Sequence, residues 1–440
     1  MYSTKNTFSS LTFFTLVSIF IFANTSSVIA KNVKLVESKS GIRALLMRDH
    51  TNPVITVSLA FKGGAALDPI GKEGLAYLAS KTIDEGAGPF TGIDFQKKLE
   101  DLLIQLRFDA SRDVFSGQLK TLTNSRDIAF KLLRLAITEP RFDLEPLNRI
   151  SSQLLVRLKR ESENPKKIAG KTLFKSLYPN HAYGRQTRGT PDSLKKIKQI
   201  DLKQFVRRRF AKNNLFLGVV GDINETDLIN ILETTFSTLP KNSNSTTVPM
   251  VEPQIKRETI WITKPVSQST ILMASRGIKR NSPMFYPAIV LNHIFGGGTF
   301  TSRLYNQVRE KRGLAYSVGS YLLPLEKSAI TLISVATKSN QAESVIGLIK
   351  NEINTLSKTG VSQQELSDAK KYLTGSFPLR FLSSEKIASM LVNIQLEGLG
   401  IEFLENRNRL INEISLESIN ELASEIMKPD KLLTVVVGAK

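Results

Sequence analysis

The sequence predicts an α+β fold of two homologous domains, each a mainly antiparallel sheet with helices packed on one face. Each half begins with alternating strands, continues with helical periodicity and closes with an apolar strand. The closing strands, Leu215–Gly221 (LFLGVVG) and residues 432–438 (LLTVVVG), resemble one another. The triplet KIA recurs at residues 167–169 and 386–388, at nearly the same separation, which indicates a duplicated unit.

The first half shows both periodicities. Residues 33–37, 44–47 and 54–61 predict strands, because β-branched residues are frequent there and apolar side chains alternate. Residues 128–138 and 147–161 predict helices, because apolar residues recur at the spacing of one helical face. Strands first, helices next and a return to strand predict helices layered on a sheet.

The two domains are expected to meet at a short linker. Residues 240–256 (PKNSNSTTVPMVEPQIK) are rich in Pro, Ser, Asn and Thr, a composition typical of linkers. We therefore assign residues 31–240 to the first domain, residues 241–256 to the linker and residues 257–440 to the second domain.

The N-terminus predicts a signal peptide over residues 1–30. Lys5 precedes an apolar run at residues 11–23, and residues 28–30 (VIA) fit the small-residue cleavage rule. The run is shorter than the roughly 20 residues that span a bilayer, so we expect cleavage before Lys31 and no stable membrane span. An uncleaved anchor is the alternative. We expect an exported protein, periplasmic in a Gram-negative host and otherwise secreted, and the absence of cysteine excludes a lipid-anchored cysteine.

The chain carries a formal net charge of +20. Such a surface suits an acidic protein, an acidic peptide or an anionic membrane face, and a basic composition with solvated lysines explains it equally well. No segment combines basic clusters with interleaved aromatic residues. The sequence therefore predicts no nucleic-acid partner.

A predicted helix at residues 73–85 has a polar stripe. Its spacing suits a metal site, but its residues are not metal ligands. Positions 77 and 81 are one turn apart, so two histidines there would point at one metal. They are Tyr77 and Lys81, and Ser80 stands where a glutamate would activate a water. The chain has three histidines, far apart in sequence, and no cysteine. The sequence therefore predicts no metal site in this chain.

Residues 302–321 (SRLYNQVREKRGLAYSVGSY) predict a helix followed by a strand, with Leu304 and Val308 on the buried face of the helix. This spacing places Arg309 near the helix end and Tyr316 on the strand. A guanidinium can grip peptide carbonyls or a carboxylate, and a phenol can donate to a carbonyl near a scissile bond. The structural alternatives are an arginine that satisfies the last helical carbonyls and a tyrosine in the core.

With GGGTFTSRL (residues 296–304) and EKRGLAYSV (residues 310–318), this segment resembles the substrate-gripping segment of the pitrilysin/insulinase family of zinc metallopeptidases. Residues 177–189 (LYPNHAYGRQTRG) resemble a second family segment, in which we interpret His181 as structural. The resemblance covers nearly the whole chain after the leader. It implies that Arg309 and Tyr316 hydrogen-bond a bound peptide, and that each chain forms a half-clamshell around a peptide-degrading chamber.

Residues 77–81 (YLASK) lie where the family has its His-x-x-Glu-His motif. The third family ligand is a glutamate on a later helix, and no acid occurs between Glu145 and Glu161 here. The resemblance therefore implies a non-catalytic, substrate-binding subunit of an exported heterodimer, with no catalytic residue, metal ligand or cofactor of its own. A partner chain of similar length would supply the zinc.

Two other functions stay open at this point. A structural or peptide-binding scaffold of the same fold would have no protease partner, and the retention of Arg309 and Tyr316 disfavours it. An enzyme with an unrecognised site would have to use Tyr77, Ser80 and Lys81. Adjacent serine and lysine side chains on a helix do not face one another, which disfavours that reading.

Overall fold

The computed structural model describes residues 33–439 of the 440-residue chain. The predicted signal peptide, residues 1–30, lies outside this range. Inside it, every helix is too short or too polar to cross a bilayer. The described residues form two sheets, one from each half of the chain.

The two sheets are mainly antiparallel, as predicted. The strands are β1 (Val33–Glu37), β2 (Arg43–Arg48), β3 (Val54–Lys62), β4 (Gln105–Ala110), β5 (Val114–Leu122), β6 (Leu215–Gly221), β7 (Glu258–Thr263), β8 (Gln268–Arg276), β9 (Ala315–Pro324), β10 (Ala329–Lys338) and β11 (Leu433–Gly438). The first sheet runs β1-β2-β6-β3-β5-β4 and the second runs β7-β11-β8-β10-β9. The β2–β6 and β7–β11 pairs are parallel.

Helices follow the strands in each half. Those of the first half are α1 (Leu75–Thr82), α2 (Gly92–Asp101), α3 (Arg126–Thr138), α4 (Leu144–Glu163), α5 (Pro165–Leu177), α6 (Pro191–Lys195), α7 (Gln199–Arg209) and α8 (Glu225–Phe236). Those of the second half are α9 (Phe285–Asn292), α10 (Ala342–Thr359), α11 (Gln363–Gly375), α12 (Ser384–Leu396), α13 (Phe403–Asn412) and α14 (Leu416–Ile426). Two π-helical turns cover His293–Gly297 and Tyr305–Glu310.

The inner face of the first sheet packs on helices of its own half. Alternate residues of β3, such as Ile55 and Val57, point into this core with Leu217 of β6, and all three are at most 1% exposed. Phe61 stacks on Phe210 with ring centroids 4.2 Å apart. Removal of this apolar surface from water, at about 25 cal/mol per Å², is the main stabilising contribution.

The inner face of the second sheet has an equivalent core. Ile271 and Met273 of β8 are fully buried together with Val345 and Ile349 of α10. The spacing of these buried residues is that of one strand face and one helix face. Side chains on one side of a strand recur every two residues, and those on one side of a helix recur every three to four.

Helix α12 crosses from the second half of the chain to the outer face of the first sheet. Its Ala388 and Leu391 lie in one cluster with Leu45 of β2 and Val220 of β6. Gln395 donates from Nε2 to a backbone carbonyl of β6 at 2.8 Å. The first sheet is therefore completed by a helix from the other half of the chain.

Helix α5 makes the reciprocal crossing to the outer face of the second sheet. Ala169 and Leu173 are fully buried in one cluster with Leu272 of β8. Just beyond the helix, the Tyr178 hydroxyl lies 2.8 Å from the Ser328 hydroxyl of the second half. Each half thus contributes one helix to the outer face of the other half's sheet, and we call α5 and α12 the exchanged helices.

The predicted α+β architecture is confirmed, and the exchange adds a helix to the second face of each sheet. Strands β6 and β11 are consequently buried on both faces. This explains why LFLGVVG and LLTVVVG are apolar at nearly every position rather than at alternate ones. The two KIA triplets lie on the two exchanged helices.

Candidate functional site

Helix α1 carries the positions that we compared with the zinc motif. It begins after Gly74, which has φ 93°. The buried Asp68 carboxylate accepts the backbone N–H groups of Gly74 at 3.0 Å and Ala76 at 3.1 Å, and Arg209 donates to the same carboxylate at 3.2 Å. These bonds satisfy N–H groups of the first turn that lack partners inside the helix, so the orientation of the helix is fixed.

The first motif position is filled by an aromatic ring enclosed by cations. Tyr77 is 4% exposed, and its hydroxyl accepts a hydrogen bond from Arg157 of α4 at 3.2 Å. Lys81 Nζ and the Arg188 guanidinium each lie 5.2 Å from the ring centroid. Glu161 pairs with both Arg157 and Arg188 and holds them in place. Three positive groups therefore stand where a divalent cation would have to bind.

The other two motif positions are engaged in structural bonds. The Ser80 hydroxyl is 2% exposed and donates to the Tyr77 carbonyl oxygen at 2.8 Å within the helix. Lys81 Nζ donates to the Phe108 carbonyl oxygen at 3.0 Å and to the Asp109 carboxylate at 3.1 Å, both on strand β4. Ser80 and Lys81 form no hydrogen bond with each other, so the arrangement offers no activated nucleophile.

The carboxylates nearest to this helix do not form a metal site. Burial raises the pKa of Asp84 to about 6. Glu85 pairs with Arg149 at 2.6 Å. Across residues 33–439, no group of three or more His, Cys, Asp or Glu side chains is placed to hold a metal ion. The residues present around α1 therefore do not fit a zinc ion, and no chemical step can be derived through one in this chain.

The three histidines lie in separate parts of the fold. His50 Nδ1 is 2.5 Å from the Asp222 carboxylate. His181 Nδ1 accepts a backbone N–H at 3.2 Å, and its Nε2 donates to a backbone carbonyl at 3.1 Å. The His293 ring stacks on Tyr372 with centroids 4.8 Å apart, and burial lowers its pKa. All three side chains have structural partners.

Sequence analysis missed two residues of this cluster, Arg157 and Arg188. The residue that reaches Tyr77 is Arg157, which lies in the stretch between Glu145 and Glu161 where no acid occurs. The signal was its helical spacing from the buried Leu154, because a residue three positions on lies on nearly the same face. Arg188 lies in the segment LYPNHAYGRQTRG, where the sequence drew attention to His181 instead.

The segment with Arg309 turns sharply before strand β9. Val308 is fully buried, and the π-helical turn Tyr305–Glu310 is followed by Gly313, where φ is 59°. The Gly313 N–H donates to the Arg309 carbonyl oxygen and the Leu314 N–H to the Val308 carbonyl oxygen, both at 2.9 Å. The Arg309 side chain is exposed, with its guanidinium 5.0 Å from the Tyr305 ring centroid. It forms no ion pair within the described chain.

Tyr316 lies at the edge of the second sheet. Strand β9 is the last strand of that sheet, and its register with β10 shifts between Ser317 and Ala315, so Tyr316 is the extra residue of a β-bulge. Its side chain is 55% exposed. The bulge turns the tyrosine away from the core that the strand periodicity would give it, and its hydroxyl has no hydrogen-bond partner among residues 33–439.

The predicted positions thus fall into two groups in different halves of the fold. Tyr77, Ser80 and Lys81 are together on α1, and Arg309 and Tyr316 are together beside β9. No hydrogen bond or ion pair joins the two groups in the part of the chain that the structure describes. In the first group Tyr77 and Ser80 are buried, Lys81 is partly exposed and all three are hydrogen-bonded, whereas Arg309 and Tyr316 are exposed.

Residues 196–373 match the family model described as the Peptidase M16 inactive domain. This description, with the relatives and solved structures below, supports the resemblance to the pitrilysin/insulinase family of zinc metallopeptidases and identifies a homologue of the inactive, non-peptidase type.

Some relatives are named as non-peptidases and others as zinc proteases. The chain is 28% identical to the "Non-peptidase homolog YmxG" of Helicobacter pylori, over 92% of this chain and 93% of that protein. It is 24% identical to the "Uncharacterized zinc protease YmxG" of Bacillus subtilis, over 92% of this chain and 98% of that protein.

Solved structures share the fold over almost the whole chain. The M16 inactive domain from Pseudomonas fluorescens has a TM-score of 0.87 and 28% identity, covering 93% of this chain and 98% of its own. The periplasmic protease PqqL from Escherichia coli has a TM-score of 0.78 and 16% identity, covering 94% of this chain and 46% of its own. The second likeness concerns the fold alone.

Proposed function

We propose that this chain is the exported, non-catalytic, substrate-binding subunit of a zinc metallopeptidase heterodimer that degrades or processes peptides. The observation that carries the proposal is the contrast between the two groups of residues. The positions compared with the zinc motif hold Tyr77 with three cations around it, whereas Arg309 is exposed in a π-helical turn and Tyr316 at the edge of the second sheet.

The roles of the pair follow from their chemistry. The Arg309 guanidinium offers a planar fork that can bind two carbonyl oxygens or one carboxylate of a peptide. The Tyr316 phenol donates one hydrogen bond and can stabilise an oxygen that gains negative charge. The zinc of the partner subunit would activate water and polarise the scissile carbonyl, and this chain would hold the peptide in register.

Export is part of the proposal because of the N-terminal leader and the fold. Residues 1–30 have the features of a cleaved signal peptide. A structural neighbour, the protease PqqL, is a periplasmic protein. The relative named as a non-peptidase homolog supports a role without autonomous catalysis.

Co-expression with a catalytic partner tests the function. The candidate is a neighbouring reading frame whose product has similar length and carries His-x-x-Glu-His. We expect the two chains to co-purify and the complex to cleave unstructured peptides, while this chain alone does not. Exchange of the partner's motif glutamate for glutamine is the control and should abolish cleavage. If the partner alone cleaved as fast as the complex, a scaffold function would be the better interpretation.

A further inference from the structure

We infer that the cavity between helices α4 and α5 and the second sheet binds acidic peptide segments. The inference rests on the proposed function, because it names the substrate class of the same subunit. The cavity has a volume of about 1150 Å³, and its lining includes nine lysine and arginine side chains and one carboxylate, Glu161. This volume exceeds the roughly 300–1,000 Å³ of typical small-molecule sites.

Most of this positive charge has no partner in the protein. The three arginines are engaged. Arg185 donates to two backbone carbonyls at 2.7 Å, Arg188 pairs with Glu161, and Arg112 lies 3.7 Å from the Phe174 ring centroid. Six lysines form no ion pair with any of residues 33–439: Lys159, Lys166, Lys167, Lys171, Lys195 and Lys264.

The charge is a property of this cavity and not of the basic chain in general. The cavity on the outer face of the first sheet, beside exchanged helix α12, has a volume of about 820 Å³. It is balanced, since Lys81 and Arg107 are met by Asp84, Glu85 and Asp109. The two cavities occupy matching places beside the two exchanged helices. Only the one beside α5 concentrates a single sign of charge, and such a concavity raises the local concentration of anions.

The rest of the lining favours a peptide over a nucleic acid. Ile168, Phe174 and Leu332 give the cavity an apolar floor, and Tyr321 is an exposed aromatic at strand β9. Single-stranded nucleic acids bind to successive aromatic platforms, and of the two aromatic rings in this lining, Phe174 is already covered by the Arg112 guanidinium at 3.7 Å. A peptide segment with carboxylates and apolar side chains fits both the lysines and the apolar floor of the cavity.

The cavity also reaches the site of the proposed function. Arg188 lines it and at the same time lies over the Tyr77 ring of α1. Tyr321 lies on the same edge strand as Tyr316. A peptide held by the lysines would therefore extend between the filled metal position and the strand edge that carries the Arg–Tyr pair.

Equilibrium binding to the full chain, without a partner and without turnover, tests the inference. The probes are fluorescent 12-residue peptides with identical apolar residues and either four glutamates or four lysines. We expect the acidic peptide to bind at least tenfold more tightly at low salt, with a preference that shrinks as salt rises. The double variant Lys167→Glu/Lys171→Glu should abolish the preference.

Lys131→Glu/Lys358→Glu is the matched control, because both lysines are exposed on helices α3 and α10, outside the cavity, and give the same change in net charge. It should keep the preference, and circular dichroism should show that both variants are folded. Equal binding of both peptides, or equal loss in both variants, would overturn the inference and leave the proposed function standing. Tighter binding of a single-stranded oligonucleotide of equal charge would also overturn it. Loss of all peptide binding would count against both.

Discussion

The two halves of this protein have the same architecture, but they differ in the exposure of the side chains that we compared with the family motifs. These side chains are largely enclosed in the first half and exposed in the second. In the first half, Tyr77 is buried and its hydroxyl and ring contact Arg157, Lys81 and Arg188. In the second half, a π-helical turn and a β-bulge present Arg309 and Tyr316 to solvent. The difference teaches that two sheets of the same architecture can carry a closed, hydrogen-bonded cluster in one half and exposed polar side chains in the other, because the sheets and exchanged helices do not depend on either set of side chains.

Metal content gives the largest expected contrast. Purified alone, chelated and then reloaded with zinc, this chain should contain no stoichiometric zinc, because Tyr77 and Lys81 are not ligands and Arg157 adds repulsion. The catalytic partner treated in the same way should hold one zinc per chain. Metal analysis by mass spectrometry measures both, and one tightly held zinc in this chain would remove the basis of the comparison.

Arg309→Ala should give the next largest effect, on cleavage by the heterodimer. A charge-assisted hydrogen bond contributes roughly 1.5–3 kcal/mol, so kcat/KM should fall about tenfold to a hundredfold. Arg312→Ala is the matched control, because Arg312 is also exposed and bonds Gln307 of its own turn. The variant complex should assemble normally by gel filtration. An unchanged kcat/KM for Arg309→Ala would make the arginine structural.

Gly218→Ala tests how tightly the two halves are joined. A Cβ at Gly218 of β6 would lie 2.3 Å from the Ala388 carbonyl oxygen of exchanged helix α12, which must move. Such overpacking costs typically about 1–3 kcal/mol of unfolding free energy. The single tryptophan, Trp261, lies in the second sheet, and its fluorescence in urea should report the loss although the substitution is in the first.

The matched control for that variant is Gly347→Ala. Its Cβ would meet no atom within 4 Å, and it lies in helix α10, so it should stabilise the protein by about 0.4–1 kcal/mol. If the Trp261 transition of Gly218→Ala matched that of the wild type while the helical signal shifted, the two halves would unfold independently.

Tyr316→Phe should have the smallest effect. It removes one neutral hydrogen bond, worth about 0.5–1.5 kcal/mol, so kcat/KM should fall by about a factor of two to ten. The loss should be greater in kcat than in KM if the hydroxyl meets the developing oxyanion. Thermal stability should not change, because the ring is 55% exposed and remains in place. A rise in KM alone would show that the hydroxyl contributes to ground-state binding only.

Many helices and strands could be predicted from the sequence, because the local periodicity of apolar residues indicates where they lie. The predicted strand at residues 54–61 and helix at residues 128–138 agree with β3 (Val54–Lys62) and α3 (Arg126–Thr138) within two residues. The exchange of α5 and α12 was not predictable in this way. Periodicity tells which face of a helix is apolar, and it does not tell which sheet covers that face.

The candidate site shows the same limit. The loss of metal ligands at Tyr77 and Lys81 is evident from residue identity alone. The replacement cluster is not, because Arg157 and Arg188 come from elements about 80 and more than 100 residues further along the chain and meet only in the folded protein. The exposure of Tyr316 depends on a one-residue bulge, which a strand pattern does not encode.

The late position of helix α12 has a consequence for how the protein is made. Strand β6 leaves the ribosome long before residues 384–396, so the outer face of the first sheet, with Leu45 and Val220, has no cover until nearly the whole chain has been synthesised. Domains usually fold as they emerge, and this one cannot finish. During synthesis the N-terminal half therefore exposes this apolar face until helix α12 has emerged and can pack on it.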